Sequence, residues 1–289
     1  MELLWGHAYC ADADAVGVRG PGSEAALATE EFGYSNFQVV EGYETLLSRR
    51  SARFKERLRL NTQVTGIRRS PEGLRVEAQL AAGTTEFHAK RVVVTLPLGI
   101  LKANAVAFDP PLPKEKQEAI VAIAFGDAIV VALRLRGGNL AERVGDFGVL
   151  YGRTASTFYR LYVGARNPPP VLGAFVVGKE ARRRSSLSDA EAVQATLDEF
   201  KSVVPSDVDL GEVETYAIAR WTTDPLIRGG YSYLPVGTDI GLRRTLAAPV
   251  DGVLFFAGEG THTAGESASV HGAIETGYRA AKEVLQSLR

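Results

Sequence analysis

Cysteine is almost absent from this chain. Cys10 is the one cysteine in 289 residues, so neither a disulfide framework nor a cysteine-built metal cluster can form within it. That usage fits a reducing compartment. An excess of either charge is lacking as well. The formal net charge of -1 leaves no broad basic field to attract nucleic acid or anionic lipid. Long apolar runs are also missing. The most apolar stretches, RVVVTLPLGIL and VAIAFGDAIVVALRL, are too short to span a bilayer. The opening MELLWGHAYCADAD has neither the basic nor the apolar region of a secretory leader. A cytoplasmic chain with no nucleic-acid and no membrane partner is the expectation. Metal is not expected either, because His7, His88 and His271 fall at no ligand spacing with carboxylates. Nor is a nucleophilic serine: GESAS around Ser267 carries G-x-S without the closing glycine of a nucleophile elbow.

What is present is the patterning of a globular protein. RLRLNTQVTGIRR and GLRVEAQL alternate as half-buried strands do, with SPEG at Ser70–Gly73 as the turn between them. TTEFHAKRVVVTLP reads as a further strand, and Val92-Val93-Val94 as a segment buried on both faces. FDPPLPKEKQEAIVAI is a proline-rich connection into a helix. The middle is strand-rich, at Ile129–Leu135, Phe147–Tyr151, Thr157–Val163 and Val171–Val177, with RNPPP as a loop. Ser188 and Glu191 form a capping box opening a helix to Val204, with Val193, Leu197, Phe200 and Val204 on one face. ARRRSS before it reads as a solvated basic face, VETYAIARW as a strand, and VVEGYETLLSRR as a strand end, a turn and a helix. The chain closes on a strand at Val253–Ala257 and a helix from about His271.

The last strand carries the most specific signal. In FFAGEGTHTAGESASVHGAIETGYRAA a buried strand runs into Gly258-Glu259-Gly260, then small residues, then a helix. A strand ending in glycine before a helix N-terminus exposes backbone donors. The acid at position 259 would repel a phosphate, but it suits the hydroxyls of a ribose or ribityl group. Small residues at Ala268, Ser269 and Val270 leave room for something flat at the helix start, where N–H groups and the helix dipole favour a partly anionic ring edge. A flavin has such an edge. A plain strand–turn–helix with a solvated Glu259 satisfies the same pattern.

The segment resembles the closing FAD-binding motif of flavin-dependent amine oxidases of the polyamine oxidase and lysine-specific histone demethylase type. VVVTLPLGILKANAVAFDPPLPKEKQEAI is similar to that family's crossover into its substrate domain, LNTQVTGI to its adenine-contacting strand, and ARWTTDPLIRGGYSYLPVG to the segment that brings aromatics to the flavin. The resemblance covers roughly residues 32–289. It implies an α/β plus α+β fold, in which an incomplete, Rossmann-like FAD-binding domain (38–97 and 235–289) is interleaved with a mixed-sheet substrate-binding domain (1–37 and 98–234). It implies FAD as cofactor and a small-molecule amine as substrate. A hydride would pass from the carbon beside the amine to flavin N5, and the imine would then be hydrolysed. Val64 would meet adenine through its backbone. Thr95, Leu96 and Pro97 would line the cofactor, with Gly258 and Glu259 at its sugar side and Ser269 and Val270 at the pyrimidine edge. Trp221 and Tyr231 would be the catalytic positioning residues, Tyr231 as one wall of an aromatic cage.

Three features depart from that pattern. No G-x-G-x-x-G fingerprint follows an apolar strand; GVRGPGSEAA at Gly17–Ala26 has the wrong spacing. The chain is therefore expected to be the C-terminal part of the architecture, needing a missing N-terminal part or a second chain carrying the fingerprint. Val130 stands where the family places a lysine near flavin N5, which leaves oxidase and dehydrogenase chemistry both open. The cage lacks a second aromatic; His262 reads either as a substitute or as a surface or capping residue, and Glu266 either as a contact for a second amine or as a solvated loop acid. The alternative is a non-catalytic subunit that keeps the scaffold for binding or assembly.

Overall fold

The computed structural model describes residues 8–17, 39, 41–145, 148–154, 156–161 and 170–289. The stretch from 18 to 26, His7, Phe147 and most of RNPPP lie outside the described residues. In chain order the elements are α1 (Gly42–Ser51), β1 (Gln63–Ser70), β2 (Gly73–Leu80), β3 (Gly83–Ala89), β4 (Val92–Val94), α2 (Leu98–Lys102), β5 (Ala107–Asp109), α3 (Lys114–Ala122) and β6 (Ala124–Phe125). There follow β7 (Ala128–Arg136), α4 (Leu140–Val144), β8 (Leu150–Tyr151), β9 (Ser156–Arg160), β10 (Val171–Val177), α5 (Gly178–Ser185), α6 (Asp189–Lys201) and β11 (Glu212–Ala219). The chain ends with β12 (Ser232–Tyr233), α7 (Gly241–Ala247), β13 (Leu254–Phe256) and α8 (Val270–Ser287). Among the described residues no helix is long and apolar enough to cross a membrane.

The fold is mixed α/β and separates into two compact units. One is built around Arg59–Gly126 and Asp224–Arg289, the other around Asp127–Thr223. Residues 98–126 and 224–234 thus group with the closing strand–turn–helix.

In the first of these units, β3-β2-β1-β5 form a mixed sheet, β13 pairs with β4 in parallel, and β12 pairs with β6 antiparallel. SPEG makes the tight turn as expected, with Ser70 opposite Gly73. Gly73 has φ +141°, and a Cβ there would meet the Ala89 carbonyl oxygen at 2.5 Å, so only glycine fits. TTEFHAKRVVV is not one strand. It bends at Lys90, so that β3 stays beside β2 while β4 joins β13. Val93 is correspondingly 40% exposed rather than buried on both faces, because β4 has one partner strand among the described residues. Ile67, Val94, Leu98, Leu101, Ile123, Leu246 and Phe256 share the core of this unit.

The other unit is an antiparallel sheet, β11-β7-β10-β9-β8, with α5 and α6. Strict alternation on β7 sends Ile129, Val131, Leu133 and Leu135 into a core with Leu172, Val176, Phe158 and Phe200. The last two rings meet edge-on at 5.0 Å. The capping box forms as read: Ser188 accepts from the Glu191 N–H while the Glu191 carboxylate accepts from Ser188. The solvated basic face holds at Arg182 and Arg183, whose side chains are more than half exposed, and fails at Arg184. Arg184 is 2% exposed, held by Glu180 four residues earlier on α5 and by Glu199 on α6. Glu199 also accepts from the Thr154 N–H and hydroxyl and from the Ser156 hydroxyl. Burial raises its carboxyl pKa, but the hydrogen bonds from Ser156, Thr154 and Arg184 outweigh that and leave it below the ordinary range. Removing one partner of such a buried pair strands the other charge. Arg184→Ala is therefore expected to lower the unfolding free energy by about 3–5 kcal/mol, read as a fall in the urea midpoint.

Candidate functional site

The glycine turn is fixed by a fully buried guanidinium. Beyond β13, Gly258 sits at φ +123° and ψ 162°, a region open essentially to glycine alone. A Cβ placed on it meets no atom within 4 Å, so the turn faces open space. Glu259 then enters a short 3-10 turn, Glu259–Thr261. Its Oε1 accepts from the Ser232 N–H at 3.0 Å, and its Oε2 from the Ser232 hydroxyl at 2.7 Å and the Ala268 N–H at 2.9 Å. The Ser232 hydroxyl can donate to Glu259 because it accepts from Arg243 Nη1 at 2.6 Å. Arg243 is 0% exposed on α7 and also donates to the Gly260 carbonyl. A carboxylate has about four acceptor positions. Glu259 thus uses three on partners among the described residues.

Helix α8 clamps the turn from its other side. The Gly258 N–H donates to the Thr276 hydroxyl at 2.9 Å. Arg279 donates to the carbonyls of Thr261 and Phe256. The small residues around the start of α8 have a reason inside the protein. Ala268 takes φ +59°, Ser269 caps the helix by accepting from the Gly272 N–H at 3.0 Å, and a Cβ on Gly272 would strike the Glu266 carbonyl oxygen at 1.9 Å. His262 is not poised as a cage wall. It is 4% exposed and bonded to its own loop and to Glu275. Glu266 pairs with His271 at 2.6 Å.

A cavity of about 230 Å³ opens against this turn, wholly within one unit. Of the residues singled out in the sequence, Thr95, Leu96, Pro97, Gly258 and Glu259 line it. Val64, Ser269, Val270, Tyr231 and Trp221 do not. Val64 is half-buried on β1 where the register shifts before Gly66. Ser269 and Val270 open α8. Tyr231 is half-buried beside Gly230, which does line the cavity. Trp221 belongs to the other unit and is 37% exposed. Phe125, Leu98, Leu101, Ile227 and Phe256 complete an apolar wall in which, among the described residues, Glu259 is the one charged lining residue. Pockets that enclose a drug-sized ligand run about 300–1,000 Å³, and this hollow is smaller.

Ser232, Arg243, Thr276 and Arg279 escaped the sequence reading. Nothing in GLRRTLAA marks which arginine is buried, because the partner hydroxyl lies eleven residues away. Two lysines were missed for the same reason. Lys102 donates to the carbonyls of Ile120, Val121 and Ile123 at the end of α3, and burial lowers its pKa. Lys116 is 3% exposed, donates to the Thr245 and Leu246 carbonyls at the end of α7, and lies 4.0 Å from the centre of the Phe256 ring. Val130 lies on the face of β7 opposite the core residues, in register with Phe175 and Ala219. No group of three or more metal-ligating side chains exists among the described residues.

With that geometry in view, comparison with known proteins gives the class. Residues 19–285 match the family model described as flavin containing amine oxidoreductase, and the chain belongs to that family. Among relatives, it is 32% identical over 275 residues to polyamine oxidase 4 of Oryza sativa subsp. japonica, covering 95% of this chain and 53% of that one. It is 33% identical over 212 residues to lysine-specific histone demethylase 1 homolog 1 of Arabidopsis thaliana, covering 72% and 25%. Among solved structures, cyclohexylamine oxidase from Brevibacterium oxydans IH-35A aligns with TM-score 0.74 at 19% identity, over 99% of this chain and 63% of that one. Putrescine oxidase bound to putrescine aligns with TM-score 0.69 at 22% identity, over 85% and 53%. The chain spans about half the length of the polyamine oxidases it matches.

The buried ammonium gives a test of the site's interior. Burial, aided by the nearby Arg279 charge and opposed by Glu283, brings Lys116 down to about 8. Between about pH 8 and the ordinary lysine value of about 10.4, the unfolded chain then binds more protons than the folded one, so stability rises with pH. The wild type is expected to gain up to ~3 kcal/mol over Lys116→Met across that window and nothing below it, measured by denaturant titration at stepped pH. A flat difference throughout would show that the carbonyls keep the ammonium charged.

Proposed function

We propose that this chain forms part of the cofactor site of an FAD-dependent amine-oxidising enzyme, with a small-molecule amine as substrate. The observation that carries the reading is the cavity against the rigid Gly258–Thr261 turn, with Thr95, Leu96 and Pro97 on its other wall. The residues present suit part of a flavin cofactor. Open space lies in front of Gly258, Glu259 retains an acceptor position for a sugar-alcohol hydroxyl, and the apolar wall excludes water from a ring. Bound there, the flavin supplies the two-electron acceptor that takes a hydride from the carbon beside the amine nitrogen.

The chain's own residues would do the rest. Ser269 and Val270 present the first N–H groups of α8, which have no carbonyl partner within the helix. Together with the helix dipole they favour partial negative charge at a ring edge. Val64 would offer its backbone to the adenine end. Trp221 and Tyr231 would position the amine, since an aromatic face attracts an ammonium before it sheds its proton. Loss of the hydride leaves an imine, which water cleaves to a carbonyl compound and an amine. The FAD-binding role is assigned to residues 38–97 and 235–289 and the substrate-binding role to the remainder.

A second reading, a non-catalytic subunit using the same scaffold for binding or assembly, draws on Val130. The lysine expected there by resemblance is replaced by a side chain that can hold neither a proton nor a water.

Thr95 is exposed at the rim of the cavity, so Thr95→Trp narrows the hollow with little cost to folding. Titration of FAD into the protein, followed by quenching of flavin fluorescence, is expected to saturate. The variant should bind at least about tenfold more weakly at an unchanged melting temperature, a loss of about 1.4 kcal/mol. Equal affinity in the variant, or no saturable binding by the wild type, would refute the assignment.

A further inference from the structure

His262 makes none of the contacts expected of an amine-cage residue, and its bonding pattern gives it another task. Its Nδ1 accepts from the Glu266 N–H at 3.0 Å and from the Ala264 N–H at 3.3 Å. An imidazole nitrogen that accepts cannot carry a proton. The one compatible tautomer is neutral, with the proton on Nε2 directed at the Glu275 carboxylate, 2.8 Å away on α8.

Those two N–H groups belong to the loop that leads to the candidate cofactor edge. Glu266 is its joint. The Glu266 N–H is held by His262, its carbonyl accepts from the Ser269 hydroxyl at 2.7 Å, and that same hydroxyl accepts from the Gly272 N–H. Two residues past Glu266, the Ala268 N–H reaches Glu259. We infer that neutral His262 is a positioning residue: acting through Glu266, it fixes the Ala268–Val270 segment on which both the Glu259 carboxylate and the α8 N-terminus depend. The inference rests on the cofactor reading for its functional consequence, but its structural half stands on these bonds alone.

Losing the Nδ1 acceptor would leave both N–H groups unpaired and release the loop. Four charged residues among the described ones bear on the ring or its loop. Glu275 faces Nε2 from α8. Arg279, also on α8, binds the carbonyl of neighbouring Thr261. The Glu259 backbone carbonyl accepts from the His262 N–H, while its carboxylate is turned to Ser232 and Ala268. The Glu266 carboxylate is turned to His271. None of these can replace the lost acceptor for the two N–H groups.

Asparagine at 262 offers a carbonyl oxygen in place of Nδ1. Amide hydrogen exchange across residues 262–270 of the ligand-free protein, corrected for intrinsic rates, is to be compared among the wild type, His262→Asn and His262→Ala. The wild type should protect Ala264 and Glu266 by roughly tenfold or more over His262→Ala, and His262→Asn should keep that protection. Equal protection in His262→Ala, or its loss in His262→Asn, would overturn the inference. FAD affinity measured in parallel should fall in His262→Ala alone. Exchange that differs while affinity does not would sever the loop from the cofactor. Absence of FAD binding by the wild type would instead refute the proposed function, leaving the exchange result to decide the latch.

Discussion

Arg243 is a full positive charge with no exposed surface, and the geometry of the glycine turn follows from it. A buried guanidinium must find acceptors or destabilise the fold. It finds the Ser232 hydroxyl and the Gly260 carbonyl. Once that hydroxyl accepts from Arg243, its proton is committed to Glu259. The carboxylate is thereby turned inward along one side. The turn's conformation at Gly258, which other residues would resist, is held on one side by Ser232 and on the other by Thr276 and Arg279 of α8. Preorganised binding sites in general take this kind of support from residues behind the contact surface.

The surrounding unit uses lysine in a related way. Lys102 and Lys116 each place an ammonium on the carbonyls that end a helix, α3 for one and α7 for the other. Helix C-termini leave four carbonyls without intrahelical partners, and a cation there satisfies both the hydrogen bonds and the dipole. Because α7 also carries Arg243, Lys116 holds the helix that holds the turn. Lys116 additionally lies over Phe256, a residue of the cavity wall, so the core and the candidate site share side chains.

In the other unit the buried Arg184–Glu199 pair occupies the place that hydrophobic packing alone would fill. Glu199 is satisfied by two hydroxyls and a backbone N–H as well as the guanidinium, and this satisfaction makes a buried charge tolerable. A Cβ on Gly152 would sit 2.3 Å from Glu199 Oε1, so the pair also dictates a glycine on a neighbouring segment. Val130, on the opposite face of the same sheet, is free of that constraint.

Much of this could be read along the chain. Period-two alternation in the segments of β1 and β2, the SPEG turn, the Ser188–Glu191 capping box and the strand–glycine–acid–helix order at the C-terminus are set by neighbours a few residues apart. Local sterics and hydrogen bonding decide such features wherever the segment sits. Position in the chain could not show that Arg184 is buried and Arg183 is not, that TTEFHAKRVVV divides between two sheets at Lys90, or that His262 faces its own loop. Nor could it show that Glu259 is tied to Ser232, twenty-seven residues earlier. Burial of a charge depends on whether a partner arrives from a distant segment, and strand membership on which edge lies within hydrogen-bonding reach. Both are settled only when the chain closes on itself.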